Sequence, residues 1–306
     1  MLPINKEEIK QRFPALCEPR PLHIHKGLLG TVGVVGGSEG MTGAVALASI
    51  AALKAGCGKV FAGFHQNPLP LPYLPGHPEI MLHTADNLLQ RQDISAWVVG
   101  CGLGQSIHAV RMIEKVMLSP QFSTIVLDAD GLNLLALWDK RKLNKMPEDT
   151  LRILTPHPLE AARLLRCSVE KLLQNHLQSA LAIAQRYQAW VVLKGDKSII
   201  AYYDGTVLVN DSGNPSLATA GSGDVLSGII GSLLAQKIPP QQAVAGAVWL
   251  HGKAGEMLVQ QGLSIGATAN EIIDQVRLLR HQLTTETETI RQPEKNKKTI
   301  RSGHKS

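Results

Sequence analysis

The sequence predicts an α/β fold, a mostly parallel central sheet with helices on both faces. Three observations predict it. Short apolar runs rich in Val and Ile alternate with Ala- and Leu-rich stretches of helical length through most of the first 195 positions. These runs leave through Gly-rich or acidic loops, as in Val35-Gly36-Gly37-Ser38, Gly100-Cys101-Gly102-Leu103-Gly104 and Leu127-Asp128-Ala129-Asp130. Aromatic residues are only 4% of 306 positions while hydrophobic residues are 44%, so the core is built from small and branched side chains that let helices lie close on a sheet.

Taken in order, residues 1–30 form a Pro-rich approach (Pro14, Pro19, Pro21) with no regular element to assign. Residues 31–35 read as a buried strand, 36–40 as a Gly-rich loop and 41–54 as an Ala-rich helix ended by Gly56. The glycines at 33, 36, 37 and 40 miss the dinucleotide fingerprint, and no Gly-Lys-Ser/Thr of a P-loop is present. Residues 59–64 make a second strand, and the Pro-rich stretch 67–78 suits a lid or the rim of a site. A strand at 96–100 and a helix at 107–117 follow. The strand at 123–127 delivers Asp128 and Asp130, which suit holding a metal or a basic side chain, with helix capping by Asp130 as the alternative. After the strand at 152–154, prolines on both sides of His157 stiffen a loop around a titratable group, although a loop His is more commonly structural or merely exposed. Helices are expected to Leu165 and over 169–187, then a strand at 189–193 ending in Lys194-Gly195-Asp196-Lys197. Residues 198–203 and 206–209 read as a hairpin turning at Asp204-Gly205. Helices over 224–235, 241–260 and 269–279 complete the body.

In a parallel sheet, ligands bind beyond the carboxyl ends of the strands. That rule gathers residues 36–44, 100–104, 128–133, 155–160, 194–198 and 221–224 around one crevice. The most telling of these is Ala220-Gly221-Ser222-Gly223-Asp224-Val225, where two glycines allow a tight turn and a helix starting near Asp224 offers free N–H groups to an anion. A carboxylate at a helix start is often just a cap. A cap needs no pair of glycines before it, whereas a base beside a phosphate cradle needs both that space and that charge.

Bulk properties exclude other classes. Cys17, Cys57, Cys101 and Cys167 are scattered, with no disulfide-like or Cys-x-x-Cys spacing, and read as reduced core residues of a cytoplasmic protein. The N-terminus lacks a signal-peptide core, and no uncharged run approaches the ~18 residues of a membrane span. Of the formal charge of +6, about half falls in the polar tail, where Arg291, Lys295, Lys297, Lys298, Arg301 and Lys305 outnumber Glu286, Glu288 and Glu294. The expected organisation is one domain over residues 1–281 and a basic, disordered tail over 282–306, with no nucleic-acid role.

These residues resemble the ADP-dependent NAD(P)H-hydrate dehydratases, a family with a ribokinase-like fold. The resemblance covers roughly residues 23–280. It rests on His25-Lys26-Gly27 with Gly30, Gly36-Gly37-Ser38 with Gly43-Ala44, Asp128-Ala129-Asp130 with Leu132-Asn133, Thr155-Pro156-His157-Pro158 with Glu160, Lys194-Gly195, and Asn214-Pro215 leading to Ala220–Leu226. It implies ADP- or ATP-dependent, Mg2+-assisted removal of water from hydrated NADH and NADPH in their S form, with release of AMP and phosphate when ADP is used. By the same resemblance Lys194, Gly195, Asp196, Lys197, Ser198, Gly221 and Gly223 contact the adenine nucleotide. Ala44, Gly102, Gly104, His157 and Asp224 contact the hydrate, and Asp224 is the base that takes the proton of the attacking hydroxyl. The helix N-terminus would make Asp224 ionise easily and leave it a weak base. No protein metal ligand is assigned. The resemblance also implies a homo-oligomer working with a separate epimerase, for which this chain leaves no room. Leu159, Ser216, Leu28 and Ser198 depart from the family's usual Gly, Gly, acid and Thr, which implies altered fit and not lost chemistry. A ribokinase-like small-molecule kinase is the nearest alternative, and a non-catalytic nucleotide-binding protein the next.

Overall fold

The computed structural model describes residues 5–20 and 26–285. His25 and the tail beyond 285 lie outside the described residues. The strands are β1 (Thr31–Gly36), β2 (Lys59–Phe64), β3 (Met81–Thr84), β4 (Ala96–Val99), β5 (Thr124–Leu127), β6 (Leu151–Leu154), β7 (Trp190–Leu193), β8 (Ile199–Ala201) and β9 (Val207–Val209). They form one sheet in the order β3-β2-β1-β4-β5-β6-β7-β8-β9. The strands up to β7 pair in parallel, as the long connections between them require. The last two pairings are antiparallel, with β8 and β9 joined across the Asp204-Gly205 corner where Gly205 has φ +99°. β1, β4 and β7 are buried along their whole length, which is why they read as continuous apolar runs and not as alternating ones.

The helices are α1 (Lys6–Arg12), α2 (Thr42–Ala55), α3 (Ala85–Leu88), α4 (Ile107–Leu118), α5 (Asp130–Leu135), α6 (Lys140–Leu143), α7 (Pro158–Leu165), α8 (Val169–Gln174), α9 (His176–Tyr187), α10 (Ser222–Ala235), α11 (Pro240–Gln260) and α12 (Ala269–Thr284). They divide between the faces. One apolar cluster joins α1, α2, α10, α11 and α12 to the sheet through Ala48, Val225, Ile229 and Val248. The other joins the remaining helices to the opposite face through Trp97, Ile113, Leu164 and Ile183. The expected architecture is therefore observed.

Several boundaries differ from expectation, each for a local reason. The N-terminal approach holds α1, started by Asn5, whose side chain accepts from Glu8 N, and fixed by burial of Ile9 and Phe13. The helix expected over 169–187 breaks at Asn175 (φ −131°, ψ 46°) into α8 and α9. α12 runs on to Thr284 because Leu283 is still buried. Most important for the site, α10 begins at Ser222 and not near Asp224.

Candidate active site

The loops at the carboxyl ends of the strands are tied together by direct hydrogen bonds. Gly37 N donates to Cys101 O at 2.9 Å and Ser38 N to Gly102 O at 2.7 Å, joining the β1 and β4 exits. Gly104 N donates to Asp130 Oδ2 at 2.8 Å, so Asp130 braces the β4 exit and does not cap a helix. The cap position of α5 is Ala129, held at φ +49°, a backbone conformation an L-residue keeps only when its surroundings impose it. Lys194 N donates to Pro156 O at 2.9 Å, and Lys194 Nζ to Asp128 Oδ1 at 3.1 Å. Ser227 Oγ, one turn into α10, donates to Asp128 Oδ2 at 2.7 Å. Asp128 thus holds a basic side chain, one of the two roles its position suggested, and all six loops converge.

At the head of α10, Gly221 has φ +84°, and a methyl added there would stand 2.3 Å from Leu47 Cδ1. Only glycine fits. A methyl on Gly223 would stand 3.3 Å from Lys194 Nζ, so the ammonium reaches the first turn of the helix. No side chain caps α10. Among the described residues the Gly223 and Asp224 amides take no backbone acceptor, and they remain for an anion. Asp224 is the third residue of the helix, its carboxylate accepts no backbone hydrogen bond among the described residues, and the capping alternative therefore falls.

What surrounds Asp224 is instead other chemistry. Its carboxylate, the Cys101 thiol and the Asp128 carboxylate lie within 4.8 Å of one another. Burial, and after it the charge of Asp128, push the Asp224 carboxyl up to about 6, against the opposing pull of the Cys101 thiol and Lys194. This corrects the expectation of easy ionisation, because desolvation outweighs the helix dipole, and Asp224 is a stronger base than expected. Cys101, read from sequence as an ordinary core thiol, belongs to the site. Burial first, then the two carboxylates, hold it well above its ordinary value and so protonated. Burial alone would lower the Lys194 ammonium, but Asp128 and Glu160 outweigh it and keep it above its ordinary value.

Of the residues expected to meet the hydrate, Gly102 and Gly104 sit where an added methyl would stand 3.1 Å from Ala44 Cβ and 3.2 Å from Ser38 Oγ respectively. His157 is engaged differently. Its Nδ1 accepts from Leu159 N at 3.1 Å as the cap of α7, and its Nε2 lies 3.2 Å from Glu160 Oε1. On the other side of Gly223 is a cavity of about 390 Å3 lined by Lys194, Gly195, Asp196, Ser198 and Gly223. Lys197 is exposed outside that lining, and Gly221 stands behind it as a structural turn. Sequence reasoning missed Asn210, Ser212 and His251 on the far wall. Ser222 Oγ lies 3.0 Å from His251 Nε2, and burial pushes this imidazole down to about 4, so it is neutral at pH 7. A lone His at the end of the apolar run Ala243–Leu250 was the signal available.

A family model for NAD(P)H-hydrate dehydratase matches residues 32–277. The chain is 48% identical to the ADP-dependent (S)-NAD(P)H-hydrate dehydratase of Neisseria meningitidis serogroup B, over 89% of this chain and 92% of that one. It is 37% identical to the bifunctional NAD(P)H-hydrate repair enzyme of Escherichia coli over 86% of this chain, and spans half of that protein's length. The fold superposes on the ADP/ATP-dependent NAD(P)H-hydrate dehydratase of Bacillus subtilis, crystallised with ATP and Mg2+, with a TM-score of 0.77 and 29% identity, covering 90% of this chain and 97% of that one. The ribokinase-like architecture is thereby established. With the matched segment running through every strand and through the Gly221–Asp224 turn, the chain belongs to the NAD(P)H-hydrate dehydratase family.

Proposed function

We propose that this chain is an ADP-dependent (S)-NAD(P)H-hydrate dehydratase that regenerates NADH and NADPH from their hydrated forms, with ADP or ATP as phosphoryl donor. The observation that carries the reading is Asp224, a partly buried carboxylate with a raised pKa, engaged in no cap, beside an uncapped helix N-terminus. Two regions meet there. The cavity lined by Lys194, Asp196 and Ser198 takes the nucleotide, and the Ala44, Gly102 and Gly104 wall takes the nicotinamide side.

In the reaction the ring hydroxyl attacks the terminal phosphoryl group and Asp224 accepts its proton. The donor leaves as AMP from ADP, or as ADP from ATP. Phosphate then departs with the ring C–O electron pair, and the adjacent carbon gives a proton to solvent water as the double bond is restored. In this reading the Gly223 and Asp224 amides and the Lys194 ammonium, which reaches the first turn of α10, stabilise charge on the transferring group. Cys101, Asp128 and Asp224 do not make a cage for Mg2+, because the thiol is a soft ligand and both Asp128 oxygens already accept bonds from Lys194 and Ser227. The ion's role is to neutralise the phosphates of the nucleotide it arrives with. A cytoplasmic setting and a homo-oligomer complete the proposal. Epimer interconversion is assigned in this reading to an epimerase; a relative whose length this chain spans by half is named a bifunctional repair enzyme. Among the described residues no helix is long and apolar enough to cross a membrane.

The test is direct. Hydrated NADH incubated with the chain, ADP and Mg2+ should recover the absorbance of the reduced nicotinamide, with AMP and phosphate formed in equal amounts. A stable phosphorylated product without that recovery would instead make the chain a small-molecule kinase.

Two substitutions probe the β6 exit. Leu159 is half exposed at the start of α7, beside His157. Leu159→Gly is expected to change KM for the hydrate more than kcat, since it reshapes a wall and removes no reacting group. The opposite split, read from initial rates, would give this loop a part in the chemistry. His157→Ala removes the cap of α7 and should cost about 1 kcal/mol, visible as a lower Tm. An unchanged Tm would show that the cap carries no weight.

A further inference from the structure

Two histidines meet above the carboxyl end of β2, next to the β4 exit. His65 directly follows that strand, and its Nδ1 donates to the Leu103 carbonyl at 2.8 Å. His108 lies in the first turn of α4, and its Nε2 donates to Asp86 Oδ1 at 3.1 Å. A carbonyl oxygen and a carboxylate oxygen can only accept, so each partner fixes the outer nitrogen of its ring as the N–H. The inner nitrogens, His65 Nε2 and His108 Nδ1, are then left as bare acceptors facing each other across 3.2 Å. Two lone pairs at that distance repel, and a cation between them relieves the repulsion.

We propose that His65 and His108 form a binding site for a divalent transition-metal cation of the kind imidazole favours, Zn2+ above all, with Cu2+ or Ni2+ as its chemical equivalents. The spacing fits. Zinc–nitrogen bonds of about 2.0–2.1 Å at a tetrahedral angle place two ligand nitrogens roughly 3.3 Å apart. The rings already meet at an angle and not end to end, with centroids 5.0 Å apart and planes at 62°. The His108 side chain is 47% exposed, which leaves a path from solvent. Water fills the remaining positions.

The outer partners are those a ligating His normally has. One ring is held by a backbone carbonyl and the other by a carboxylate, which fixes the tautomers that ligation needs and offsets the ion's charge. The ion would clamp the start of α4 to the end of β2. Through Leu103 it would also stiffen the segment that carries Gly102 and Gly104.

Calorimetric titration of the full chain, stripped with a chelator, using Zn2+ alone slightly above neutral pH tests this. One step of uptake is expected that His65→Ala and His108→Ala each weaken by at least about tenfold, and Asp86→Asn by about tenfold, as loss of an outer partner does. His108→Gln, which keeps the bulk of the side chain, must show the same weakening as His108→Ala. His77→Ala should leave the step unchanged, since that partly buried histidine pairs with Glu79 in another part of the fold. Uptake indifferent to both His108 variants would overturn the site. So would a parent protein that takes up no Zn2+.

Discussion

Asp224→Asn is expected to lower turnover by roughly 10²- to 10⁴-fold, the range of a removed general base. The substitution keeps the shape of the side chain and the Gly223 and Asp224 amides but cannot accept the hydroxyl proton. Nucleotide affinity should hold or rise slightly, because a negative charge near the phosphates is gone. The parent enzyme should lose kcat/KM as pH falls through about 6, where the carboxylate becomes protonated, and the variant should lack that limb. Stability moves the other way. Because burial raises the folded-state pKa above the ordinary 3.8, the protonated carboxyl contributes stability that is fully present below that value and lost as pH rises through about 6. The Asn variant should therefore match the parent at low pH and exceed it above pH 6 by about 1–2 kcal/mol after screening. Near-normal turnover in a variant with an unchanged melting curve would remove Asp224 from the chemistry.

The parts of this site that could be read from sequence are those where a backbone requirement dictates the residue. Gly221 at φ +84° is such a position, and so are the Gly-rich exit at 102–104 and the Asp128 that closes β5. The 102–104 exit and Asp128 stand at strand ends, which the parallel topology collects on one edge, and Gly221 meets them at the head of α10. Quantities set by distant neighbours were not legible. The shift of Asp224 depends on burial and on Asp128, which reaches it only once β5 and α10 are packed together through Ser227. Cys101 looked like any core thiol because its partners lie on other elements. Asn210, Ser212 and His251 carry no spacing signal of their own and become a wall only when α11 folds across the cavity. Among secondary elements the misses are short, from the seven residues of α1 and the six of α5 downward. β3, α3 and α6 have four residues each, too few for a hydrophobic period to show.

Asp128→Asn is the second substitution with a large expected effect, and it separates fold from chemistry. The Asp128 side chain is buried, accepts from Lys194 Nζ at 3.1 Å and from Ser227 Oγ at 2.7 Å, and stands beside Asp224. Asn keeps an oxygen for Ser227 but leaves the ammonium without its closest counter-charge. Breaking a fully buried pair costs about 3–5 kcal/mol, and partial exposure of Lys194 brings the expected loss to about 2 kcal/mol in denaturant unfolding. The Lys194 pKa should fall, since burial, which lowers it, would then be opposed chiefly by Glu160. The same substitution removes the second-largest cause of the raised Asp224 pKa. The acid limb of kcat/KM should therefore move to lower pH, while burial still keeps it above the ordinary carboxyl value. The two readouts are independent. A stability loss with an unmoved acid limb would mean that the group titrating in the rate profile is not Asp224. An acid limb that moves without a stability loss would mean that the Lys194–Asp128 pair positions the site and contributes nothing to holding the fold.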